Sequence, residues 1–231
     1  MKWLISVEGE STITKRPLLQ VALDMTNLES ALRIALRSSR AGVDIIEVGT
    51  PLIKSEGVRS IKIIKTALPE KPIVADMKIV DAGSLETELA ISAGADIVTV
   101  MALSDISTIK YTVETAKSLG GRVMIDMMNV SNPLSRTREI LDVCKPDILC
   151  IHRGIDVQRK YRSIDSMVME VRRLKNTFDI KIAVAGGIDE STAPILARAG
   201  ADILIVGRAI TTSTDIEGKV RSILTSMSRL G

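Results

Sequence analysis

Four stretches of this chain are near copies of one another: AGVDIIEVG (41–49), AGADIVTVM (93–101), KPDILCIH (145–152) and AGADILIVG (199–207). Their aspartates, Asp44, Asp96, Asp147 and Asp202, lie 52, 51 and 55 residues apart. In three of them a glycine (Gly42, Gly94 or Gly200) stands where a helix would end in the left-handed conformation. A short run rich in β-branched residues follows and reads as a buried strand. About midway between the copies lie four more apolar runs, LLQVALD (18–24), PIVADMK (72–78), RVMIDMM (122–128) and IKIAVAGG (180–187). Stretches of helical period separate the runs, such as LESALRIALRSSR (28–40) and STAPILARAG (191–200). Eight strands alternating with helices, in units of about 26 residues, predict an α/β fold: a single (β/α)8 TIM barrel. A doubly wound open sheet is the competing architecture. It would show fewer strands and an edge break, and neither is visible.

The length of 231 residues suits one such domain, spanning 18–231, with residues 1–17 as an N-terminal arm or cap. Hydrophobic residues make up 45% and aromatic ones only 2%, so the apolar mass is aliphatic. That is what strands buried on both faces of a parallel sheet require. It also argues against nucleic-acid modules, which stack bases on aromatic rings. A net charge of +3 is compatible with a phosphorylated substrate without pointing to one. The two cysteines, Cys144 and Cys150, lack a redox or metal spacing and read as buried thiols. The apolar patch near residue 1 is too short for a signal-peptide core, and no run reaches membrane-span length. A cytoplasmic enzyme with no membrane or nucleic-acid partner is expected.

In a TIM barrel the active site lies at the C-terminal ends of the strands. There the sequence places Asp24, Glu47 (followed by Gly49-Thr50-Pro51), Asp76, Lys78 and Asp81, then Asp126, His152, Gly186-Gly187 and Gly207-Arg208. A single aspartate at a strand end is commonly a turn former or helix cap. Five carboxylates converging on one rim, offset only by Lys78, His152 and Arg208, predict shifted pKa values or a bound divalent cation. Oxygen donors favour Mg2+ over zinc. Lys78 is placed to bridge Asp76 and Asp81, as a structural network or a catalytic ammonium. His152, the one histidine, reads equally as a general acid/base or a hydrogen-bonded core residue. Gly186, Gly187, Gly207 and Arg208 occupy the loops where such barrels bind phosphate, with Thr211, Thr212 and Ser213 placed to begin the following helix.

The run ADMKIVDAG (75–83) contains Asp-x-Lys-x-x-Asp and resembles the signature of the orotidine-5′-monophosphate decarboxylase suprafamily. LQVALD (19–24), IEVGTPLI (46–53), DMKIVDAGSLE (76–86), VMIDMMNV (123–130), HRGIDVQ (152–158), AVAGGI (183–188) and VGRAIT (206–211) resemble, in order, its 3-hexulose-6-phosphate synthase family. The resemblance runs from residue 18 to the end. It implies a Mg2+-dependent, reversible aldol condensation of formaldehyde with D-ribulose 5-phosphate to D-arabino-3-hexulose 6-phosphate, through an enediolate. It further implies that Glu47 and Asp76 hold the metal and that Lys78 adds positive charge beside it. Asp81 would position Lys78 and reach across the interface of a homodimer with a shared active site. Asp24 and Asp126 would contact the sugar, His152 would shuttle the proton at C1, and Gly186, Gly187, Gly207 and Arg208 would grip the phosphate.

The nearest alternative by chemistry is 3-keto-L-gulonate-6-phosphate decarboxylase. Asp126 with Met-Met-Asn-Val favours the synthase, whereas the His152-Arg153 pair leans to the decarboxylase. Orotidine monophosphate decarboxylase itself fits less well, because Asp81 is followed by Ala-Gly. Two readings of another class remain: a Schiff-base aldolase through Lys78, which needs a depressed lysine pKa, and a non-catalytic sugar-phosphate-binding barrel.

Overall fold

The computed structural model describes residues 16–160 and 163–228; most of the expected N-terminal arm, residues 1–15, lies outside them. Eight parallel strands, β1 (Leu18–Leu23), β2 (Ile45–Val48), β3 (Ile73–Ile79), β4 (Ile97–Met101), β5 (Arg122–Asp126), β6 (Ile148–His152), β7 (Lys181–Ala185) and β8 (Ile203–Val206), pair in sequence order. The ring closes where β1 pairs with β8, Val21 opposite Val206. Around it run α1 (Leu28–Arg40), α2 (Thr50–Glu56), α3 (Arg59–Ala67), α4 (Gly83–Ser92), α5 (Ile106–Ser118) and α6 (Pro133–Val143). The ring continues with α7 (Ile155–Lys160), α8 (Asp165–Thr177), α9 (Ala193–Ala199), α10 (Arg208–Thr211) and α11 (Ile216–Ser228). The expected (β/α)8 barrel is therefore the fold. Among the described residues no helix is long and apolar enough to cross a membrane.

The repeat has a physical purpose at the N-terminal rim. Gly42, Gly94 and Gly200 adopt φ near +104°, +107° and +104°, the left-handed turn that leads each helix into the next strand. The repeated aspartates then latch neighbouring strands together. Asp44 accepts the Leu19 N–H (2.8 Å), Asp96 that of Ile73 (2.7 Å), Asp147 that of Val123 (2.9 Å) and Asp202 that of Ile182 (2.7 Å). Arg16, Lys65 and Lys175 pair with Asp44, Asp96 and Asp202 at 2.7, 2.9 and 3.0 Å. These aspartates thus hold the floor of the barrel, far from the rim that carries chemistry in this fold.

Two apolar cores result. The larger lies between the sheet and the helices and is almost wholly aliphatic. The smaller fills the barrel interior with Ala22, Ile45, Val74, Ile97, Met124, Ile148, Cys150, Ala183, Ala185, Ile203 and Ile205. Side chains on a strand face the same way every second residue. Two residues beyond this plug, the inward position becomes polar on five consecutive strands: Glu47, Asp76, Thr99, Asp126 and His152. On β7 and β8 it stays small or aliphatic and gives way to the glycine loops. The sequence therefore builds a polar half and a glycine half over one sealed floor. One local expectation fails: Thr211–Ser213 do not begin the helix after β8. A single turn starts at Arg208, Thr212 closes it, and the long helix α11 begins at Ile216.

Candidate active site

The polar tier and the glycine loops enclose a cavity of about 660 Å3. Asp24, Glu47, Asp76, Lys78 and His152 line one side, and Gly186, Gly187, Gly207 and Arg208 line the other. Asp81 and Asp126 are absent from its wall.

Asp24, Glu47 and Asp76 each offer a carboxylate oxygen, and the three oxygens lie within 4.8 Å of one another. Asp24 is the first residue beyond β1 and is exposed to the mouth, whereas Glu47 and Asp76 are buried. Gly49 makes room for this meeting: a Cβ there would lie 2.3 Å from an Asp24 carboxylate oxygen. Burial, and then the charges of Asp76 and Asp24, push the Glu47 carboxyl well above the usual range. Burial and the nearby Asp76 raise Asp24 as well. Gln20, fully buried on β1, donates to Glu47 at 2.5 Å and fixes its orientation. Asp76 is held from two sides, by Thr99 on Oδ1 and by Thr50 on Oδ2, each at 2.8 Å.

Lys78 stands beside this cluster. Its ammonium lies 2.5 Å from Asp76 and 3.5 Å from Asp126. Burial alone would lower its pKa; the two carboxylates outweigh that and raise it, so the group stays an ammonium. The expected bridge from Lys78 to Asp81 is not formed within the chain. Asp81 is exposed on the loop after β3, where it accepts the N–H of Ala82 at 2.7 Å. Asp126 takes its place. Asp126, expected to touch the sugar, is buried beside Glu47, Asp76, Lys78 and His152 because β5 ends there with that side chain inward. It accepts from Nδ1 of His152 at 2.8 Å. Burial favours its neutral form, but the hydrogen bond from His152 and the charges of His152 and Lys78 prevail and lower its pKa. With Nδ1 donating to Asp126, Nε2 of His152 is the nitrogen free to exchange protons.

The far side is shaped for close backbone approach. Gly186 and Gly187 have φ of +112° and +77°, and a Cβ on Gly186 would lie 2.3 Å from the Arg153 carbonyl oxygen. Arg153 braces this loop: its guanidinium donates to the carbonyls of Gly186 (3.1 Å) and Ser163 (2.5 Å), and its own N–H to Ala185 (3.0 Å). The residue that leaned toward the decarboxylase is thereby occupied in holding a glycine loop rather than in lining the cavity. Arg208, exposed at the start of α10, overlooks that loop.

The structure brings Asp24, Glu47, Asp76, Lys78, His152 and the glycine loops singled out in the sequence around one cavity, whereas the braces Gln20, Thr99 and Arg153 were missed. For Thr99 a signal existed, because it stands two residues beyond the core residue Ile97 on β4. For the others the partners lie 27 and 33 residues away in the chain, and nothing local marks them.

A family model described as orotidine 5′-phosphate decarboxylase / HUMPS matches residues 17–223. The 3-hexulose-6-phosphate synthase of Bacillus subtilis is 39% identical over 198 residues, which are 85% of this chain and 92% of that protein. A bifunctional Fae/Hps enzyme of Methanococcoides burtonii is also 39% identical, over 89% of this chain; the chain spans about half of its length (52%). The crystal structure of 3-hexulose-6-phosphate synthase from Salmonella typhimurium superposes with a TM-score of 0.86 at 39% identity, covering 93% of this chain and all (100%) of that one. The 3-keto-L-gulonate-6-phosphate decarboxylase of Vibrio cholerae superposes at 0.83 with 26% identity, covering 94% and 100%.

Proposed function

The chain belongs to the orotidine 5′-phosphate decarboxylase / HUMPS family, and from that premise we propose that it acts as a 3-hexulose-6-phosphate synthase, an aldehyde-lyase. The reaction joins formaldehyde to C1 of D-ribulose 5-phosphate and is reversible. One observation carries the reading: three carboxylates gathered within 4.8 Å beside a lysine ammonium and a carboxylate-held histidine, facing a glycine-lined cleft.

The donor set fits a hard divalent cation such as Mg2+, because Asp24, Glu47 and Asp76 offer only oxygen and their mutual repulsion calls for positive charge. Bound there, Mg2+ would supply charge beside the ketone and hydroxyl oxygens of the substrate. The chain's own groups do the rest. Gly186, Gly187, Gly207 and Arg208 receive the phosphate and set C1 near His152. Nε2 of His152 removes a proton from C1, and Asp126 orients the ring. The Lys78 ammonium offsets the negative charge that builds on the carbonyl oxygen. C1 then attacks the formaldehyde carbon, a carbon–carbon bond forms, and the proton held by His152 passes to the new alkoxide oxygen.

An exposed apolar patch supports a homodimer. Val80, Leu85, Leu89, Leu103 and Tyr111 project from the β3–α4 loop, α4, the β4–α5 loop and α5. Asp81 sits beside Val80 on this face, where it would reach a partner's site instead of its own Lys78. Cytoplasmic residence belongs to the same reading, supported by Cys144 and Cys150, which are both free thiols. Schiff-base chemistry at Lys78 is disfavoured, since that route needs a free amine and this lysine is held as an ammonium.

The decarboxylase is the reading to test against. Formaldehyde condensation with ribulose 5-phosphate and CO2 release from 3-keto-L-gulonate 6-phosphate are to be compared by kcat/KM on one preparation. Condensation is expected to lead by at least about tenfold, about 1.4 kcal/mol of transition-state binding. A lead for CO2 release would reverse the assignment and leave the barrel and its carboxylate cluster in place.

A further inference from the structure

Lys78 holds an unusual backbone for a residue with a side chain, φ +49° one residue before the end of β3. The cause lies in the pairing of β3 with β4. Ala75 is opposite Val98 and Ile79 is opposite Val100, so four steps along β3 match two along β4, and Thr99 alone faces the surplus. A bulge of this kind leaves backbone groups without ladder partners, and strained φ values persist only where the surroundings enforce them. Here the enforcing group is a side chain. The Thr99 hydroxyl accepts the Lys78 backbone N–H at 2.9 Å and donates to Asp76 Oδ1 at 2.8 Å. Because the N–H occupies a lone pair, the single hydroxyl proton is directed at Asp76. Thr99 is 4% exposed, so water does not compete for either bond. On the other carboxylate oxygen, Asp76 Oδ2 already accepts from Thr50 and from the Lys78 ammonium.

We propose that Thr99 is a positioning residue for the reaction: its hydroxyl ties the strained Lys78 backbone to the Asp76 carboxylate, so that the lysine ammonium and that carboxylate are held at a fixed mutual angle. The proposal rests on the metal and the proton-transfer chemistry of the function proposed above, and adds to it the residue that aligns both.

The test is Thr99→Val, which keeps the shape and removes both bonds, against Thr99→Ser, which keeps the hydroxyl. Two readouts are needed: Mn2+ binding followed by calorimetric titration, and the rate of C1 proton exchange of ribulose 5-phosphate in D2O without formaldehyde. Outer partners of metal ligands commonly govern affinity by 10- to 100-fold. Thr99→Val is therefore expected to weaken Mn2+ binding and slow kcat for exchange, each by about 10- to 100-fold, with KM for ribulose 5-phosphate little changed, and Thr99→Ser to restore both. Should Thr99→Val fail to fold, Thr99→Ala is expected to show the same losses. Wild-type affinity and kcat in a folded Val or Ala variant would overturn the proposal, as would equal losses in the Ser variant. A wild type that exchanges C1 protons without binding Mn2+ would instead overturn the metal assignment; kcat alone would then decide for Thr99, and an unchanged value would sink it.

Discussion

Asp126 accepts a hydrogen bond from His152 at 2.8 Å and lies 3.5 Å from the Lys78 ammonium, so one buried carboxylate contacts both groups proposed to act on the substrate. Asp126→Asn keeps the volume and removes the charge. The amide can then donate to Nδ1 and favour the tautomer that leaves Nε2 protonated, unable to take the C1 proton. Positioned acid–base groups contribute about 10²- to 10⁴-fold. A kcat loss within that range is expected, with KM for ribulose 5-phosphate nearly unchanged, read by steady-state kinetics. A loss confined to KM would place Asp126 on the substrate after all. The types of the first-rank residues were legible in the sequence because a charge ending an aliphatic run is costly without a partner. Their partners were not, since the contacts that join Asp126 to His152 and Lys78 and leave Asp81 apart from Lys78 depend on which way each side chain turns off its strand.

At the scale of elements, alternation carried the most information. Eight apolar runs, three of them preceded by a left-handed glycine, marked the strands, and helix α1 spans the residues its amphipathic period indicated. What alternation alone could not reveal is a break in itself: the surplus residues of β3 that bend Lys78 into the site have no local marker beyond the charged pair they display. The same limit holds for the clasp between the first and last helices of the ring. Arg37 on α1 donates from Nε to both carboxylate oxygens of Glu217 on α11, at 2.7 and 2.9 Å, from 180 residues away. The hydrogen bond from Arg37 holds the Glu217 carboxyl down at about 2, against an ordinary 4.5. A carboxyl with a lowered folded-state pKa contributes stability above its unfolded pKa and loses it as pH falls toward the folded value. The Tm difference between the wild type and Arg37→Ala is therefore expected to be constant above about pH 5 and to close as pH falls from there toward about 2. A difference that persisted at the acid end would mean that Arg37 acts through packing instead.

For the whole molecule, the division of labour between the two rims explains why one architecture serves both stability and chemistry. The repeated aspartates close the floor, and the carboxylates two positions above the interior plug open the site. The proposed dimer extends that site across chains through Asp81. Mixing Asp81→Asn with Lys78→Ala, each inactive alone, tests it: a heterodimer of the two carries one site with both residues intact. Random reassortment is expected to restore about a quarter of wild-type activity. No recovery, in a mixture shown by mass to contain heterodimers, would confine each site to a single chain.

The central claim is metal-assisted aldol chemistry at the cluster of Asp24, Glu47 and Asp76. Its most direct test is the loss of formaldehyde in the presence of ribulose 5-phosphate, followed with Mg2+ and again with excess EDTA. Rapid loss that EDTA stops and added Mg2+ restores is the predicted result. Loss at the same rate in EDTA would contradict the metal's role, and no loss in either condition would contradict the reaction itself.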